Sequence, residues 1–402
     1  MRIRSRLAPI TVLTMLCLLS CAPAAPAPSP TTAAAAKPPT AVPVQAPTAL
    51  PAKPAESKPA PEKAPAAAAD WETVLAAAKK EGKVAVAGAP GNLYREAMKG
   101  FEAKYPDIRL DYQGFNPVDF TTRFNQERQA GQYLWDVYIN GPTTFDVTAK
   151  KAGDLAPLRP VLILPEVTDE SVWLGGFQKA YLDSEKQYVF AFQAEVSPQV
   201  YVNRDVVPDS DLTTVQGLLD AKWKGKIALH DPRVDGAGNG RIASWTGQLG
   251  EEFVRALMSQ DVVLTRDTRQ LTEWVVRGQY PIAIGIGGTD IFEFTKQGLG
   301  LNVQPLGAKT PEAWRLSAAF GAVRLVSKAP DLNAAQIFVN WLLSREGQTA
   351  WAQVAGRASR RLDVPRLEGL SPEPGIDYFD IDREENLALR DRAKQIAQEV
   401  LH

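Results

Sequence analysis

From residue 71 onward, apolar residues recur at helical spacing, and short apolar runs of strand length separate these stretches. In "WETVLAAAKKEG" the residues at i, i+3, i+4 and i+7, before Gly82, are Trp71, Val74, Leu75 and Ala78. The strand "KVAVA" follows at once, and two further predicted helices lead into the strands "IRLDY" and "WDVYI". Strands that alternate with helices in this way predict βαβ units and a parallel sheet.

The same alternation begins again after residue 197. Strand-like runs read "PQVYVN", "KGKIALH" and "YPIAIGIGG", and the helices between them read "GRIASWTGQLGEEFVRALMSQ" and "DTRQLTEWVVRG". A helix from an Asp331 cap to about residue 348, and an amphipathic helix from about residue 383, close the chain. About 330 residues exceed what one open sheet usually organises, so we expect two α/β lobes.

The first 69 residues have a different pattern. Arg2, Arg4 and Arg6 precede an apolar run too short to span a bilayer, which is typical of an export signal. Residues 18–21, "LLSC", resemble the bacterial lipoprotein box, so we expect a signal peptide over 1–20 and a lipid, such as palmitate, on Cys21. The alternative is a chance cysteine beside an ordinary cleavage site. Residues 21–69 are rich in Pro and Ala and predict a disordered tether to the outer face of the cytoplasmic membrane.

The composition argues against several classes of function. The only cysteines are Cys17 and Cys21, so no disulfide can form inside the folded part, and thiol catalysis is excluded. A formal net charge of −1, which becomes more negative once the signal arginines are removed, gives no support to nucleic-acid binding. An apolar fraction of 45% is ample for a core that needs no cross-links.

Five loops follow the predicted strands: "GAPGN", "QGFNP", "NGPTT", "DPRVDGAGNG" and "GGTD". Ligands of open α/β sheets collect at the carboxyl ends of strands. Small residues there let backbone N–H groups approach a ligand, and a strand that leads through glycines into a helix can hold an anion. The five loops are therefore the predicted binding region.

Three blocks then resemble a known family, the extracellular solute-binding proteins of ABC importers, in the branch that includes ferric-iron and phosphonate binders. They read "AMKGFEAKYPDIRLDY", "PQVYVNRDVVPDSDLTTVQGLLDAKWKGKIALHDP" and "NAAQIFVNWLLSREGQ", in the family's order. The resemblance implies a type II periplasmic-binding-protein fold, in which two α/β lobes joined by a hinge close on a solute and present it to a membrane permease. It implies lobe one at 71–192 plus 304–345, and lobe two at 193–303 plus 346–402. We expect a monomer without a cofactor.

The candidate ligand-binding residues come from these loops and from the resemblance: Ala89, Gly91, Asn92, Asn140, Thr143, Tyr201, Arg233, Gly238, Asn239, Thr289, Asp290 and Arg357. The guanidinium of Arg233 could fork onto a carboxylate or phosphonate. Its alternative is a pair with Asp231 or Asp235. For Asn92, Thr143, Thr289 and Asp290 the alternative is helix capping, and for Arg357 it is solvation or a pair with Asp363.

One departure from the family changes the expected ligand. In ferric binders of this branch two adjacent tyrosines follow the strand that here reads "PIAIGIGG", and this chain has Thr289 and Asp290 instead. We therefore expect a small polar, anionic solute and no bound metal. Ferric iron stays as an alternative through Tyr94, Tyr138 and Tyr201, and a sugar through stacked tryptophans such as Trp245 or Trp314. We expect no enzyme, because the common catalytic motifs are missing, although carboxylate catalysis stays open.

Overall fold

A computed structural model describes residues 70–401 and, at Gly288 and Thr289, the backbone alone. The predicted signal peptide, the tether and Cys21 lie outside the described residues. No helix within residues 70–401 is both long enough and apolar enough to cross a membrane.

Strands and helices alternate along most of this part of the chain. The strands are β1 (Lys83–Gly88), β2 (Arg109–Gly114), β3 (Val137–Asn140), β4 (Leu155–Ala156), β5 (Phe190–Ala191), β6 (Glu195–Pro198), β7 (Val200–Asn203), β8 (Ile227–His230), β9 (Val263–Thr265), β10 (Ile282–Ile284), β11 (Val303–Pro305), β12 (Trp314–Ser317) and β13 (Ala322–Val326). The helices are α1 (Trp71–Glu81), α2 (Asn92–Ala97), α3 (Lys99–Lys104), α4 (Pro117–Gln129), α5 (Thr144–Ala152), α6 (Pro165–Thr168), α7 (Ala237–Met258), α8 (Thr268–Val276), α9 (Gly288–Thr295), α10 (Leu332–Leu343), α11 (Arg345–Val354) and α12 (Ala388–Val400).

The first lobe is built on a sheet with the order β2-β1-β3-β13-β4, and β5 also pairs with β13. Strands β1, β2 and β3 are parallel, as the βαβ pattern predicts, whereas β13 runs antiparallel to β3. One face of this sheet packs on the aromatic residues Phe101, Phe338 and Trp341. The other face packs on Phe120 and Phe145, around the ring of Tyr138.

The second lobe has a sheet with the order β11-β7-β10-β8-β9. Strands β10, β8 and β9 are parallel, while β7 runs antiparallel to both of its neighbours, β10 and β11. Helices α7 and α12 lie against each other and bury Trp245, Leu257 and Ile396 in the core of this lobe. Both predicted α/β units are therefore present, each with antiparallel additions to its parallel centre.

An antiparallel pair of strands, β6 and β12, connects the two lobes, in the register Glu195 with Ser317 and Pro198 with Trp314. The chain returns to the first lobe later than residue 304, because β11 pairs within the second sheet and Leu316 still belongs to the second core. It also leaves the first lobe later than residue 346, because α11 packs Trp351 into the first core. These apolar contacts correct the expected lobe boundaries to about residue 318 and about residue 358.

Some helix ends lie where the sequence predicts them, and others do not. Gly82 ends α1 in the left-handed conformation with φ 71°, but the side chain of Asp70 makes no capping hydrogen bond. The helix predicted between "KVAVA" and "IRLDY" breaks at Met98 into α2 and α3. The helix predicted from Asp331 divides at Ser344, whose hydroxyl accepts from the backbone N–H of Gly347 and so caps α11.

Candidate functional site

The carboxyl ends of the parallel strands in both sheets lie beside the connecting pair β6 and β12. In the first lobe, a side-chain carbon added at Gly141, just after β3, would lie 2.4 Å from the carbonyl oxygen of Ala319, just after β12. In the second lobe, the guanidinium of Arg241 donates to the carbonyl of Pro198, at the end of β6, and to that of Ile286, after β10. These contacts define the candidate site as the loop edges on either side of the connecting strands.

Most of the predicted site residues of the first lobe make hydrogen bonds to neighbouring backbone groups or lie at the start of a helix. The carbonyl of Ala89 accepts a hydrogen bond of 2.6 Å from the hydroxyl of Tyr112. Gly91, with φ 126°, precedes α2, and Asn92 is the exposed first residue of that six-residue helix. Asn140 is fully buried, where its amide nitrogen donates to the carbonyl of Phe115 and its amide oxygen accepts from the N–H of the next residue.

Thr143 and Asp290 both lie at helix starts, as their alternative interpretation states. The hydroxyl of Thr143 accepts from the N–H of Phe145, and Asp146 accepts from the N–H of Thr143, which makes a complete capping box for α5. The carboxylate of Asp290 accepts a weak hydrogen bond of 3.4 Å from the N–H of Gly287 before α9. The backbone of Thr289 lies in α9.

Arg233 also adopts its alternative arrangement. Its guanidinium forks onto the carboxylate of Asp231, with Nε 2.9 Å from Oδ1 and Nη2 3.2 Å from Oδ2. Arg266 donates to the same carboxylate at 3.0 Å. Burial alone would raise the pKa of Asp231, but the hydrogen bonds from the two arginines lower it to about 2. The charge of Arg233 is therefore already compensated within its own loop.

Gly238 and Asn239 form the first turn of α7 against the end of β8. The N–H of Gly238 points at Nδ1 of His230 at 3.4 Å, and a side-chain carbon at Gly238 would lie 1.8 Å from the carbonyl oxygen of His230. Only glycine permits this approach. The buried amide of Asn239 donates to the carbonyls of Pro232 and Arg390, while its Oδ1 has no hydrogen-bond partner within the described part of the chain.

Arg357 is the predicted residue of the first lobe that lies beside the connecting strands. Its Nη1 is 3.5 Å from the carboxylate of Glu195 in β6, and its guanidinium lies about 6 Å from the ring centres of Tyr94 and Phe320. Burial raises the pKa of Glu195, and the charge of Arg357 opposes that rise. The expected alternative partner, Asp363, is instead bound by both arms of Arg361.

The sequence did not single out Arg241, which the structure places at the centre of the second lobe's loop edge. Only 4% of Arg241 is exposed, and it donates to three backbone carbonyls, those of Ala237, Pro198 and Ile286. Among the described residues no carboxylate forms an ion pair with it, and its Nε has no hydrogen-bond partner. Burial, with a smaller contribution from Arg315, lowers the pKa of Arg241 to about 9.

Arg315, in the connecting strand β12, is the second cation that was missed. Its Nη1 would lie 3.1 Å from a side-chain carbon at Gly240, so the absence of that carbon lets the guanidinium approach the first turn of α7. Burial lowers the pKa of Arg315, the carboxylate of Asp382 opposes this, and Arg390 adds to it. Arg241 and Arg315 thus bring two guanidinium groups to one helix N-terminus, where the backbone dipole already favours a negative charge.

A sequence signal for Arg241 exists. It lies four residues before Trp245, which is fully buried, so a helical projection puts the guanidinium on the buried face of α7. A charged residue on such a face costs stability unless a partner compensates it. That conflict between pattern and charge is the signal that marks this position.

The tyrosines and tryptophans considered for other ligands are dispersed. Tyr94, Tyr138 and Tyr201 belong to three different apolar clusters, and burial raises the pKa of Tyr138 and Tyr201. Trp245 and Trp314 are both buried in the core of the second lobe, and the indole N–H of Trp245 donates to the carbonyl of Glu312. Within residues 70–401, no group of three or more His, Cys, Asp or Glu side chains is placed to hold a metal ion.

Comparison with known proteins identifies the class of protein. Residues 96–375 match the model of the bacterial extracellular solute-binding protein family, and because this covers more than half of the sequence, the chain belongs to that family. A search among curated proteins found no match. The solute-binding identity that the sequence blocks resemble is therefore confirmed.

Solved structures give the fold. Iron-bound HitA from Pseudomonas aeruginosa is similar with a TM-score of 0.55 and 16% identity, over 80% of this chain and 99% of that one. The Trichodesmium protein IdiA (FutA), in complex with iron and citrate, has a TM-score of 0.61 and 17% identity, over 80% and 99%. The Bordetella ferric binding protein has a TM-score of 0.61 and 16% identity, over 79% and 98%. At identities this low, the similarity shows the fold alone. The three structures confirm the two-lobed periplasmic-binding-protein architecture.

Proposed function

We propose that this protein is the lipid-anchored receptor of an ABC importer, and that it captures a small anionic solute between its lobes and delivers it to a membrane permease. The observation that carries the choice of an anion is the guanidinium of Arg241, buried without an acidic partner among the described residues at the start of α7. A buried cation costs free energy until a counter-charge reaches it. A bound carboxylate, phosphate or phosphonate group supplies that charge.

Two further features near Arg241 support the same site. The first turn of α7 carries glycines at 238 and 240, which let neighbouring groups approach its backbone closely. Arg315 adds a second guanidinium from the connecting strand. A ligand that contacts both α7 and β12 touches the second lobe and the hinge together, which is how binding energy can favour closure of the lobes.

The first lobe contributes a different surface in this proposal. Arg357, paired with Glu195 and lying near Tyr94, faces the connecting strands from that side. Because Glu195 compensates its charge, we assign Arg357 a secondary role, which is to contact the far end of the solute. Gly91 and Asn92 complete the proposed site with exposed polar groups.

Ferric iron is the alternative that the structural neighbours suggest, since the HitA and IdiA (FutA) structures contain iron. Fe(III) prefers hard, anionic oxygen ligands. The phenols of Tyr94, Tyr138 and Tyr201 lie in separate apolar clusters, an arrangement that favours the anion over the metal.

A thermal-shift screen of the purified protein tests the proposal. The panel contains methylphosphonate, citrate, a neutral sugar and Fe(III), and each is also added to the Arg241→Gln variant. We expect an anion to raise the melting temperature of the wild-type protein and to leave the variant unchanged, because ligand binding stabilises the folded state by mass action. A shift with Fe(III) alone or with the sugar alone would contradict the choice of an anion.

A further inference from the structure

The last 26 described residues lie beyond the region that matches the family. The match ends at residue 375, whereas the described chain continues to Leu401. We call residues 376–401 the C-terminal segment. Its helix α12 lies along α7, the helix whose first turn forms the proposed anion site. The segment thus follows the matched region along the chain and reaches the proposed site.

Ion pairs fix α12 on α7. Arg392 binds the carboxylate of Glu251 with both arms, at 2.7 and 2.6 Å, and Arg255 of α7 binds Glu399. At the other end, the main-chain carbonyl of Arg390 accepts a 2.8 Å hydrogen bond from the amide of Asn239. The backbone of the segment is therefore held directly over the first turn of α7.

The side chain of Arg390 converges with Arg315 on the same spot. A side-chain carbon added at Gly240 would lie 3.5 Å from Nη1 of Arg390 and 3.1 Å from Nη1 of Arg315. Arg390 donates to Oδ1 of Asp382 at 3.1 Å. With Arg241 nearby, three guanidinium groups and one carboxylate surround the turn, so the cluster carries an excess of positive charge.

Asp382 links this cluster to the hinge. Its Oδ2 accepts from the hydroxyl of Ser317, at the end of β12, and from the N–H of Ala318, both at 2.8 Å. The two oxygens of one carboxylate thus hold Arg390 and the connecting strand together. This fixes the guanidinium at the junction of hinge and second lobe, with about 30% of the Arg390 side chain still exposed.

We propose that Arg390 is a ligand-binding residue supplied by the C-terminal segment, and that it selects solutes whose anionic group carries two negative charges. The inference rests on the proposed anion-binding function. The three guanidinium groups and the one carboxylate give the cluster a net charge of +2, which two further negative charges would neutralise. A singly charged group would leave one guanidinium uncompensated near the others, so the dianion is favoured.

Two probes of similar shape but different charge distinguish an effect of ligand charge from an effect of ligand shape. Methylphosphonate is a dianion at pH 8.5, and methanesulfonate is a monoanion. Their affinities are measured by isothermal titration calorimetry for the wild-type protein, Arg390→Gln, Arg390→Lys and Arg392→Gln. Arg392 is the matched control because it lies on the same helix but pairs with Glu251, about three helical turns along α7 from Gly240.

We expect the wild-type protein to prefer methylphosphonate, and Arg390→Gln to lose about tenfold in affinity for it, as the loss of one charge-assisted hydrogen bond predicts. The same variant should change little toward methanesulfonate, Arg390→Lys should keep the preference, and Arg392→Gln should match the wild type. Equal weakening for both probes, or no weakening in Arg390→Gln, overturns the role of Arg390 and leaves the proposed function standing. A wild-type protein that binds neither probe overturns both.

Discussion

The two lobes present the same kind of loop edge to the connecting strands but use their polar groups differently. In the first lobe, Asn140 donates to Phe115 of the neighbouring loop, Thr143 caps α5, and Arg357 faces the carboxylate of Glu195. In the second lobe, Arg241 is buried without an acidic partner among the described residues. A loop whose groups satisfy one another needs no ligand, whereas a buried, uncompensated cation does. The asymmetry assigns the recognition of charge to the second lobe.

The largest expected effect is on ligand affinity. Arg241→Gln should weaken the binding of methylphosphonate by about 100-fold, because hydrogen bonds to a charged group are lost at a buried position. The glutamine amide can still donate to the carbonyls of Pro198 or Ile286, so the empty protein should keep its fold. The measurement is isothermal titration calorimetry of the wild-type protein and the variant.

Arg357→Gln is the matched change in the first lobe. Because Glu195 already compensates Arg357, we expect this variant to lose about threefold, in the range of a weak, partly exposed ion pair. Calorimetry that finds the larger loss in Arg357→Gln would reverse the assignment of the two lobes.

The next expected effect is the pH dependence of stability, which has opposite signs for one aspartate in each lobe. In the first lobe, burial raises the pKa of Asp136 to about 6, although its carboxylate accepts from the N–H groups of Ala85 and Asp331. The folded state then holds this proton more tightly than the unfolded chain. Asp136 therefore makes the protein less stable as pH rises from about 4 to about 6, by up to about 3 kcal/mol.

Asp231 of the second lobe behaves in the opposite way. Burial opposes its ionisation, but Arg233 and Arg266 lower its pKa to about 2, so its stabilising contribution is present above about pH 4 and is lost as pH falls toward 2. Urea unfolding between pH 3 and pH 7 should show that Asp136→Asn removes a loss of stability on raising the pH. Asp231→Asn should instead remove a gain of stability over the same rise in pH. The same sign of change in both variants would refute this difference between the lobes.

A smaller effect is expected at Arg233. Since both arms of its guanidinium bind Asp231, Arg233→Gln should lower the free energy of unfolding by about 1 kcal/mol and leave the affinity for methylphosphonate unchanged. This is the outcome expected from the alternative pair with Asp231, rather than from contact of Arg233 with the ligand. Differential scanning calorimetry and titration of the same preparation measure both quantities. A loss of affinity without a loss of stability would restore Arg233 to the site.

Much of the fold could be predicted from the sequence, because apolar periodicity and glycine positions report on local structure. The strands around "KVAVA" and "IALH", and the end of α1 at Gly82, follow directly from that pattern. The lobe boundaries could not, because they depend on which core an element joins. The short strand β11 pairs with β7, and α11 buries Trp351 in the first lobe.

The residues of the candidate site could be predicted from the sequence only in part. The loops at the carboxyl ends of the strands stay the predicted binding region, and the structure places Gly238 and Asn239 at the start of α7. Arg241 and Arg315 were missed because charged residues in a helix and a strand are ordinarily solvated. Their burial depends on tertiary contacts with Pro198, Ile286 and Gly240. Arg390 lies far along the chain from both Arg241 and Arg315, too far for any local pattern to connect it with them.

Native mass spectrometry of the purified protein tests the central claim most directly, because it reads the mass of whatever solute the protein retains. The account predicts a small anionic molecule on the wild-type protein and an empty Arg241→Gln variant. Retention of ferric iron or of a neutral sugar, or equal occupancy in the wild-type protein and the variant, would contradict it.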